Sequence, residues 1–392
     1  MHEYANGGEV DLLVPDTHSK QLKKLLQGLG FTKVAAWGHS PHLFFVTYHN
    51  DSDCWIKLDV VSRISYGNPA HALHTTLADN CLQHRRRCEF VDIPSPEDEF
   101  VTLLLHCVLD KGAIAAHRGQ RLQALCDQVE DTNYISHLLA QYWSPSSSWP
   151  ALAGLVKNGE WAALLAQREV VANRLVRHEP MATVLRSIRD RLLRKMQRGA
   201  GYLQPRTPSV ALLAPDGAGK STLAHGLEES FYFPVRLLYM GLYQNKRGSE
   251  GKGIKGLGLA KNLIKQWRRY LVSRHYRASG KLVVFDRYSY DALLPSTQRA
   301  SIKGKLRRLR RWLLAYSCPP PDLVLFLDAP GELLYARKGE RNPADLEAQR
   351  QQYLRLKTTL PQMVVVDASR GAESVRQEAT DLIWKKYAQQ FG

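Results

Sequence analysis

The hydrophobic positions of this chain change period along its length. Near the start, the apolar run Val10–Val14 reads as a strand, and leucines at 22, 25, 26 and 29 recur at a helical period that Gly30 stops. Leu43–Tyr48 and Cys54–Val61 then bracket Asn50-Asp51-Ser52-Asp53, the pattern of a hairpin with a longer loop. From Pro94 to about Arg198 the period is helical. Pro94-Ser95-Pro96-Glu97-Asp98-Glu99 supplies a serine cap, a first-turn proline and acids behind it, and apolar clusters follow at Phe100–Leu105, Leu122–Leu125 and Ile135–Leu139. Ser144-Pro145-Ser146-Ser147-Ser148 breaks this pattern as a loop, and Gly199–Ser209, with two prolines, reads as a linker.

Beyond the linker, strands and helices alternate. Short apolar runs at Val210–Leu213, Val235–Met240, Leu282–Phe285, Leu323–Leu327 and Met363–Val366 are separated by helical stretches, two of which run to about Tyr276 and Tyr316. Nearly continuous apolar strands indicate a parallel sheet covered on both faces, with ligands at the carboxyl ends of the strands. The expected class is α/β in three parts: a small α/β domain over 1–95, a helical region over 96–200, and an α/β domain over 207–392.

Composition narrows the setting. A chain of 392 residues, 44% hydrophobic and 23% charged, has the make-up of a globular protein rather than a disordered one. No apolar stretch approaches a membrane span, and the opening MHEYANGGEVDLL lacks the basic-then-apolar layout of a secretory signal. The six cysteines form no Cys-x-x-Cys pair, which predicts reduced thiols and a cytoplasmic location. His71, His74, Cys81, His84 and Cys88 match no zinc spacing, and Arg85-Arg86-Arg87 among them would repel a cation. The net charge of +17 is concentrated: Phe231 to Arg311 holds 20 Lys and Arg against Glu250, Asp286 and Asp291, an excess as large as that of the whole chain.

The strongest chemical signal is Ala214-Pro215-Asp216-Gly217-Ala218-Gly219-Lys220-Ser221-Thr222, placed between the strand ending at Leu213 and a helical run from Leu223. Strand, glycine-rich turn and then Gly-Lys-Ser is the order a phosphate-cradling loop requires, although Ala214 stands where the strict pattern has glycine. Gly217 and Gly219 let backbone N–H groups point at phosphate oxygens, and the helix that follows adds its positive end. Lys220 would reach the β- and γ-phosphates of ATP, and the Ser221 hydroxyl would hold Mg²⁺. Val283-Val284-Phe285-Asp286-Arg287-Tyr288 ends another buried strand with an acid, a base and a phenol. Arg287 suits a bidentate hold on an acceptor phosphate, and Asp286 would orient the acceptor or a Mg²⁺-bound water.

These segments, with Pro321-Asp322-Leu323-Val324-Leu325-Phe326-Leu327-Asp328, together resemble the thymidylate kinase family of P-loop kinases over about Pro208 to Gln389. The resemblance implies an NMP-kinase-like sheet flanked by helices. It implies a mobile lid at Arg337-Lys338-Gly339-Glu340-Arg341, with Arg337 and Arg341 supplying transition-state charge because Gly217 occupies the place where some members carry an arginine. It also implies an acceptor-sugar contact from Asp216 and a loop beside the adenine at Val365-Val366-Asp367-Ala368-Ser369-Arg370. The chain departs from the family where an Arg-Glu-Pro-Gly-Gly segment shapes the nucleoside pocket. It has Phe233-Pro234-Val235-Arg236, then Tyr239-Met240-Gly241-Leu242-Tyr243, and a glycine- and lysine-rich insertion at Asn245–Gly258. The resemblance therefore carries the kinase class but not the thymidine pocket.

In the N-terminal part, Glu9 and Asp11 fall on one side of a strand, and Asp59 supplies a third acid from a neighbouring one. With the Gly7-Gly8 pair, this resembles the acidic triad of the nucleotidyltransferase-fold superfamily, which implies a Mg²⁺ site at Glu9, Asp11 and Asp59. Only eight residues precede Glu9, whereas that family places a strand, a helix and a glycine turn upstream. Either the upstream elements lie outside this sequence or the site is degenerate; the plain alternative is acids on solvent-facing strands. The helical region resembles the appendage that follows such domains in bacterial surface-polysaccharide gene products.

The expected activity is transfer of the ATP γ-phosphate to a small-molecule or glycan acceptor, a nucleoside monophosphate such as dTMP being the one that the resemblance implies. One alternative is a kinase for a sugar, glycan or other anionic acceptor in surface-polysaccharide metabolism. The other is a non-catalytic ATP-dependent binding module. The basic residues 245–311, with Trp267 and Tyr270 interleaved, are either solvated helix faces or a field that gathers a polyanion or an anionic membrane surface. The oligomeric state is left open.

Overall fold

The computed structural model describes residues 8–34, 42–67, 71–144, 147–241, 257–294, 302–339 and 341–391. Gly7, Pro145-Ser146, Leu242-Tyr243, the 245–256 part of the insertion, Arg299 and Glu340 lie outside the described residues. The chain divides into two compact units. One takes Thr47–Ile56 with Arg198–Gly392, and the other takes Glu9–Val46 with Lys57–Gln197.

The N-terminal strands form one sheet: β1 (Glu9–Leu13), β2 (Thr32–Val34), β3 (Leu43–His49) and β4 (Cys54–Val61), in the order β1-β4-β3-β2. β1 runs parallel to β4, and β2 antiparallel to β3. Helix α1 (Asp16–Gly28) packs on it through Leu22 and Leu26 against Leu12, Phe45 and Val60. Leu25 and Leu29, apolar at the same helical period, are exposed instead. Two short ribbons follow, β5 (Ser65–Tyr66) with β6 (Leu73–His74) and β7 (Arg86–Cys88) with β8 (Val91–Ile93), α2 (Leu77–Gln83) lying between them in the chain.

The helical region comprises α3 (Pro96–Leu105), α4 (Ala116–Gln128), α5 (Thr132–Tyr142), α6 (Trp149–Lys157), α7 (Trp161–Ala166), α8 (Arg168–His178) and α9 (Pro180–Leu203). The cap expected at Ser95 is present: its hydroxyl accepts from the Asp98 amide at 3.1 Å. The predicted clusters converge in one core, where Phe100, Leu104, Leu122, Leu125, Ile135 and Leu139 are fully buried. At its end, α9 continues through Gly199 and Gly201 to Leu203, into the stretch the composition reads as a linker. Gly201 is there because a Cβ would sit 3.0 Å from the Ala278 carbonyl oxygen, so its missing side chain serves close packing and not flexibility.

The second sheet has five parallel strands: β9 (Ser209–Leu213), β10 (Val235–Tyr239), β11 (Leu282–Asp286), β12 (Leu323–Asp328) and β13 (Met363–Asp367), in the order β10-β11-β9-β12-β13. Its connections are α10 (Lys220–Ser230), α11 (Leu257–Ala278), α12 (Ile302–Tyr316), α13 (Gly331–Lys338) with α14 (Pro343–Leu356), and finally α15 (Ala372–Phe391). This is the expected α/β architecture. β9 is buried along its whole length, as is β12 except for its last residue, the double-sided burial that their unbroken apolar runs require. Because β9 is central and the chain leaves it first toward β10–β11 and later toward β12–β13, the crevice at its carboxyl end is where such sheets take ligands. In the same unit, Thr47–Ile56 contributes Trp55, whose indole donates to the Ser230 carbonyl at 2.9 Å and whose ring lies edge-on to Phe231 and Trp384.

Candidate functional site

The loop leaving β9 has the backbone that its glycines allow. Gly217 and Gly219 sit at φ +90° and +85°, and Gly219 immediately precedes α10. At Gly217 a Cβ would lie 2.5 Å from the Leu334 carbonyl oxygen, so side-chain absence is required for packing as well as for conformation. At Gly219 a Cβ would meet nothing within 4 Å; the space before it is open. Ala218 is buried, and Ser221 and Thr222 are exposed in the first turn of α10.

Lys220 folds back over this loop. Its ammonium donates to the carbonyls of Ala214 at 2.9 Å and Pro215 at 2.8 Å. Burial, helped by the nearby Arg287 guanidinium, pulls its pKa down to about 8, although Asp216, Asp286 and Asp291 oppose the shift. Among the described residues the hydrogen bonds of this half-buried cation go to two uncharged carbonyls, which an anionic oxygen could replace.

Opposite the loop stands Arg287, one residue past β11, at φ +62°. A non-glycine residue in this region stores about 1–3 kcal/mol of backbone strain, which the surroundings must hold in place. They do so with charge: Arg287 donates to Asp216 Oδ1 at 2.6 Å, and Asp291 lies 3.7 Å from the same guanidinium. Burial would raise the Asp216 carboxyl, but Arg287, Lys220 and Arg341 outweigh it and hold the group below its usual range. Asp291 behaves oppositely. Its burial outweighs Arg287 and the phenol of Tyr353, which donates to it at 2.9 Å, and its pKa is raised.

The remaining sequence-predicted residues complete one cleft of about 520 Å³, lined by residues 216–223 together with Asp286, Arg287, Arg337, Lys338, Arg370 and Val375. Asp286 ends β11 with its backbone carbonyl accepting from Met240 at 3.2 Å. Arg337 donates to the Ala368 carbonyl at 2.8 Å, and Arg341 comes within 3.8 Å of Asp216. Arg370 is tied to Glu378 and, at 3.3 Å, to the Asp367 carbonyl. Thus Asp216, Lys220, Asp286, Arg287, Arg337, Arg341 and Arg370, taken from four separate stretches of sequence, meet at the carboxyl ends of the strands. The donor set fits a nucleoside triphosphate: positive-φ glycines, a helix N-terminus, exposed hydroxyls at Ser221 and Thr222, and the cations Lys220, Arg287, Arg337, Lys338 and Arg370 around open space.

Several participants were not picked out from the sequence. Asp291 supports Arg287 from four residues downstream, a spacing that Asp286-Arg287-Tyr288-Ser289-Tyr290-Asp291 displays once the turn at Ser289–Leu293 is known. Arg350 grips Asp328 bidentately, Nε to Oδ1 at 2.6 Å and Nη2 to Oδ2 at 2.9 Å, so the acid ending β12 is already engaged. The Arg269 guanidinium lies 5.3 Å from the centre of the Tyr239 ring and donates to the Gly241 carbonyl at 3.3 Å, on the β10 side of Arg287. Only the tertiary fold puts these pairs together.

The basic stretch divides. Arg277 is buried, donating to Asp322 at 2.7 Å and to the Thr207 carbonyl at 2.8 Å, so it belongs to the scaffold. Tyr270 is buried while Trp267 is exposed. On the N-terminal sheet, the Glu9, Asp11 and Asp59 carboxylates converge as expected, with ligand oxygens all within 4.8 Å of one another, the one metal-capable cluster among the described residues. Asp11 is paired with Asp59 across β1 and β4, and burial first, then its two acidic neighbours, raise its pKa. Lys57 reaches Glu9 at 2.5 Å, which meets part of the negative charge, and the His42 ring nitrogen lies 2.8 Å from Asp59.

No family model and no curated protein matches this chain. Among solved structures, a thymidylate kinase from Candida albicans aligns over 46% of this chain and 93% of its own, at 18% identity and a TM-score of 0.37. Two structures of a deoxyadenosine kinase from M. mycoides align over 44% of this chain and 96% of theirs, at 13% identity, with TM-scores of 0.32 and 0.34. Likeness at that level transfers no activity. The functional reading rests on the geometry of the cleft.

Proposed function

We propose that residues 207–392 form an ATP-dependent phosphotransferase of the P-loop kinase type, preceded by a nucleotidyltransferase-like domain over 1–95 and a helical region over 96–200. The observation that carries this is the Lys220–Asp216–Arg287 cluster, which sets a phosphate-loop lysine and a strained, acid-held arginine across one cleft. ATP would lie along the loop with its γ-phosphate toward Arg287, Lys220 exchanging the Ala214 and Pro215 carbonyls for β- and γ-phosphate oxygens. Mg²⁺, held through the Ser221 hydroxyl, would neutralise the phosphate charge. Arg287 would release Asp216 to take the acceptor phosphate in a bidentate grip, and Asp286 would orient the acceptor. As an acceptor oxygen bonds to the γ-phosphorus and the β–γ bridge breaks, Arg337 and Arg341 would stabilise the charge passing to the leaving ADP. Six cysteines without a Cys-x-x-Cys pair support a cytoplasmic setting.

For the acceptor, a nucleoside monophosphate is the first reading, and a phosphorylated sugar or glycan is the alternative favoured by the cationic surroundings. An assay with radiolabelled ATP against dTMP, other nucleoside monophosphates, and sugar and glycan phosphates decides between them. Turnover in wild type that disappears in Lys220→Ala supports the kinase. ATP binding without turnover on any acceptor leaves an ATP-dependent binding module. The convergence of Glu9, Asp11 and Asp59 also supports a Mg²⁺ site there, weakened by Lys57 and His42.

A further inference from the structure

Helices α11 and α12 present the wrong side to water. They pack together through Leu263 with Leu314 and Ala315, and Ser317 donates to Gln266 at 2.6 Å. The buried side of α11 carries Gln266, Tyr270, Ser273 and Arg277. Its outer side carries Ile264, Trp267, Leu271 and Val272, with Ile264 69% and Leu271 58% exposed, and these line a shallow apolar depression. On α12, Leu309, Trp312, Leu313 and Tyr316 follow i, i+3, i+4, i+7, the spacing of a single helical face, and all four are exposed, Leu309 and Trp312 at 55%. A stripe at this spacing normally faces the core.

The charge around the stripes selects what covers them. Residues 257–278 and 302–316 contain twelve Lys and Arg and no Asp or Glu. Of these, Arg277 and Arg311 turn inward, to Asp322 and to the Ala292 carbonyl, while Lys261, Arg268, Arg308 and Arg310 are exposed beside the apolar residues. A second copy of this face would set like charges against each other. A nucleic acid would meet the cations and could stack on the tryptophans, but it offers nothing to Ile264, Leu271, Val272, Leu309 and Leu313. An anionic bilayer surface answers both: headgroups for the cations, the acyl boundary for the aliphatics, and the interfacial layer for Trp267, Trp312 and Tyr316.

We propose that the outer faces of α11 and α12 dock this protein on the surface of an anionic lipid membrane, without spanning it. No described helix is long and apolar enough to cross a membrane. The docking does not depend on the nucleotide cleft, so it can fail or hold independently of the kinase reading.

Flotation of the full chain with phosphatidylcholine vesicles, and with vesicles containing phosphatidylglycerol as well, tests this without nucleotide. Binding is expected to the anionic vesicles only, with a blue shift of tryptophan emission. Leu309→Ser with Trp312→Ser lowers partitioning by about tenfold or more, from lost apolar burial. Arg308→Gln with Arg310→Gln lowers it by about fivefold per charge, and only on anionic vesicles. All four side chains are exposed, and an unchanged melting temperature confirms that the variants remain folded. Absence of flotation with anionic vesicles, equal binding to both vesicle types, or indifference to both double substitutions overturns the proposal. So does a dimer that Leu309→Ser with Trp312→Ser dissociates, or capture by single-stranded RNA in preference to vesicles.

Discussion

Two arginine–aspartate pairs sit at opposite ends of the same five-stranded sheet. Arg277–Asp322 lies at the amino ends of β9 and β12, and Arg287–Asp216 at the carboxyl ends of β11 and β9; their closest contacts are 2.7 and 2.6 Å. Distance does not separate them, but surroundings do. Around the first, Thr207 accepts a second hydrogen bond from the buried arginine, and the Ser209 amide and hydroxyl both donate to the half-buried carboxylate at 2.7 Å, so both charges are satisfied. Around the second, the arginine is strained at φ +62°, a second acid lies below it, a lysine with a depressed pKa stands across a cleft, and open space adjoins the loop. A satisfied pair is scaffold. A pair held in tension beside a cavity is a site that a ligand can rearrange.

Breaking each pair separates these roles. Arg277→Ala leaves the half-buried Asp322 without its cation, and urea unfolding is expected to show a loss of about 1.5–3 kcal/mol. Arg287→Ala is expected to leave folding intact while lowering phosphoryl transfer by roughly 10²–10³-fold, with Arg287→Lys recovering little because a point charge cannot copy the fork. A scan in which Arg287→Ala lowers stability as much as Arg277→Ala would erase the distinction. Gly217→Ala should cost about 1–3 kcal/mol in melting experiments, since it combines a positive φ with a clash against Leu334, and should weaken ATP binding as the loop shifts.

The smaller effects are pH-dependent. Lys220 has a folded pKa of about 8, below its unfolded value, so the folded protein binds fewer protons between the two. Ligand-free stability should therefore rise as pH increases from about 8 toward the ordinary lysine range, and a Lys220→Met variant should not show this rise. Nucleotide affinity should move oppositely and fall as pH passes about 8, because phosphate requires the charged lysine. Urea unfolding across that range tests the first sign, and titration calorimetry with nucleotide tests the second. At the N-terminal sheet, Asp11→Asn should weaken Mn²⁺ binding by severalfold or less in nucleotide-free protein, an effect limited by the charge that Lys57 contributes and by the His42 contact on Asp59.

Legibility followed the range of the interaction. The phosphate loop was readable because its requirements are local: glycines where φ is positive, a lysine and hydroxyls at fixed offsets, a strand before and a helix after. The Ser95 cap and the Glu9–Asp11 pair were readable for the same reason, alternation and capping being properties of a few successive residues. Asp291 beneath Arg287, Arg350 on Asp328 and Arg269 over Tyr239 join elements far apart or depend on an intervening turn, and no local pattern marks them. Gly199–Ser209 shows the converse: its glycine and proline content reads as a linker, whereas α9 runs on to Leu203 and Gly201 packs against Ala278.

The sequence by itself determined the α/β class of the C-terminal region, the phosphate loop, and the placing of Asp286 and Arg287 at a strand end, because periodicity and turn chemistry are encoded residue by residue. Tertiary structure alone decided which of the many arginines line the cleft and which hold the fold. That choice depends on what each guanidinium meets across the sheet: for Arg277 a closed set of partners, for Arg287 an acid pair and an open cleft.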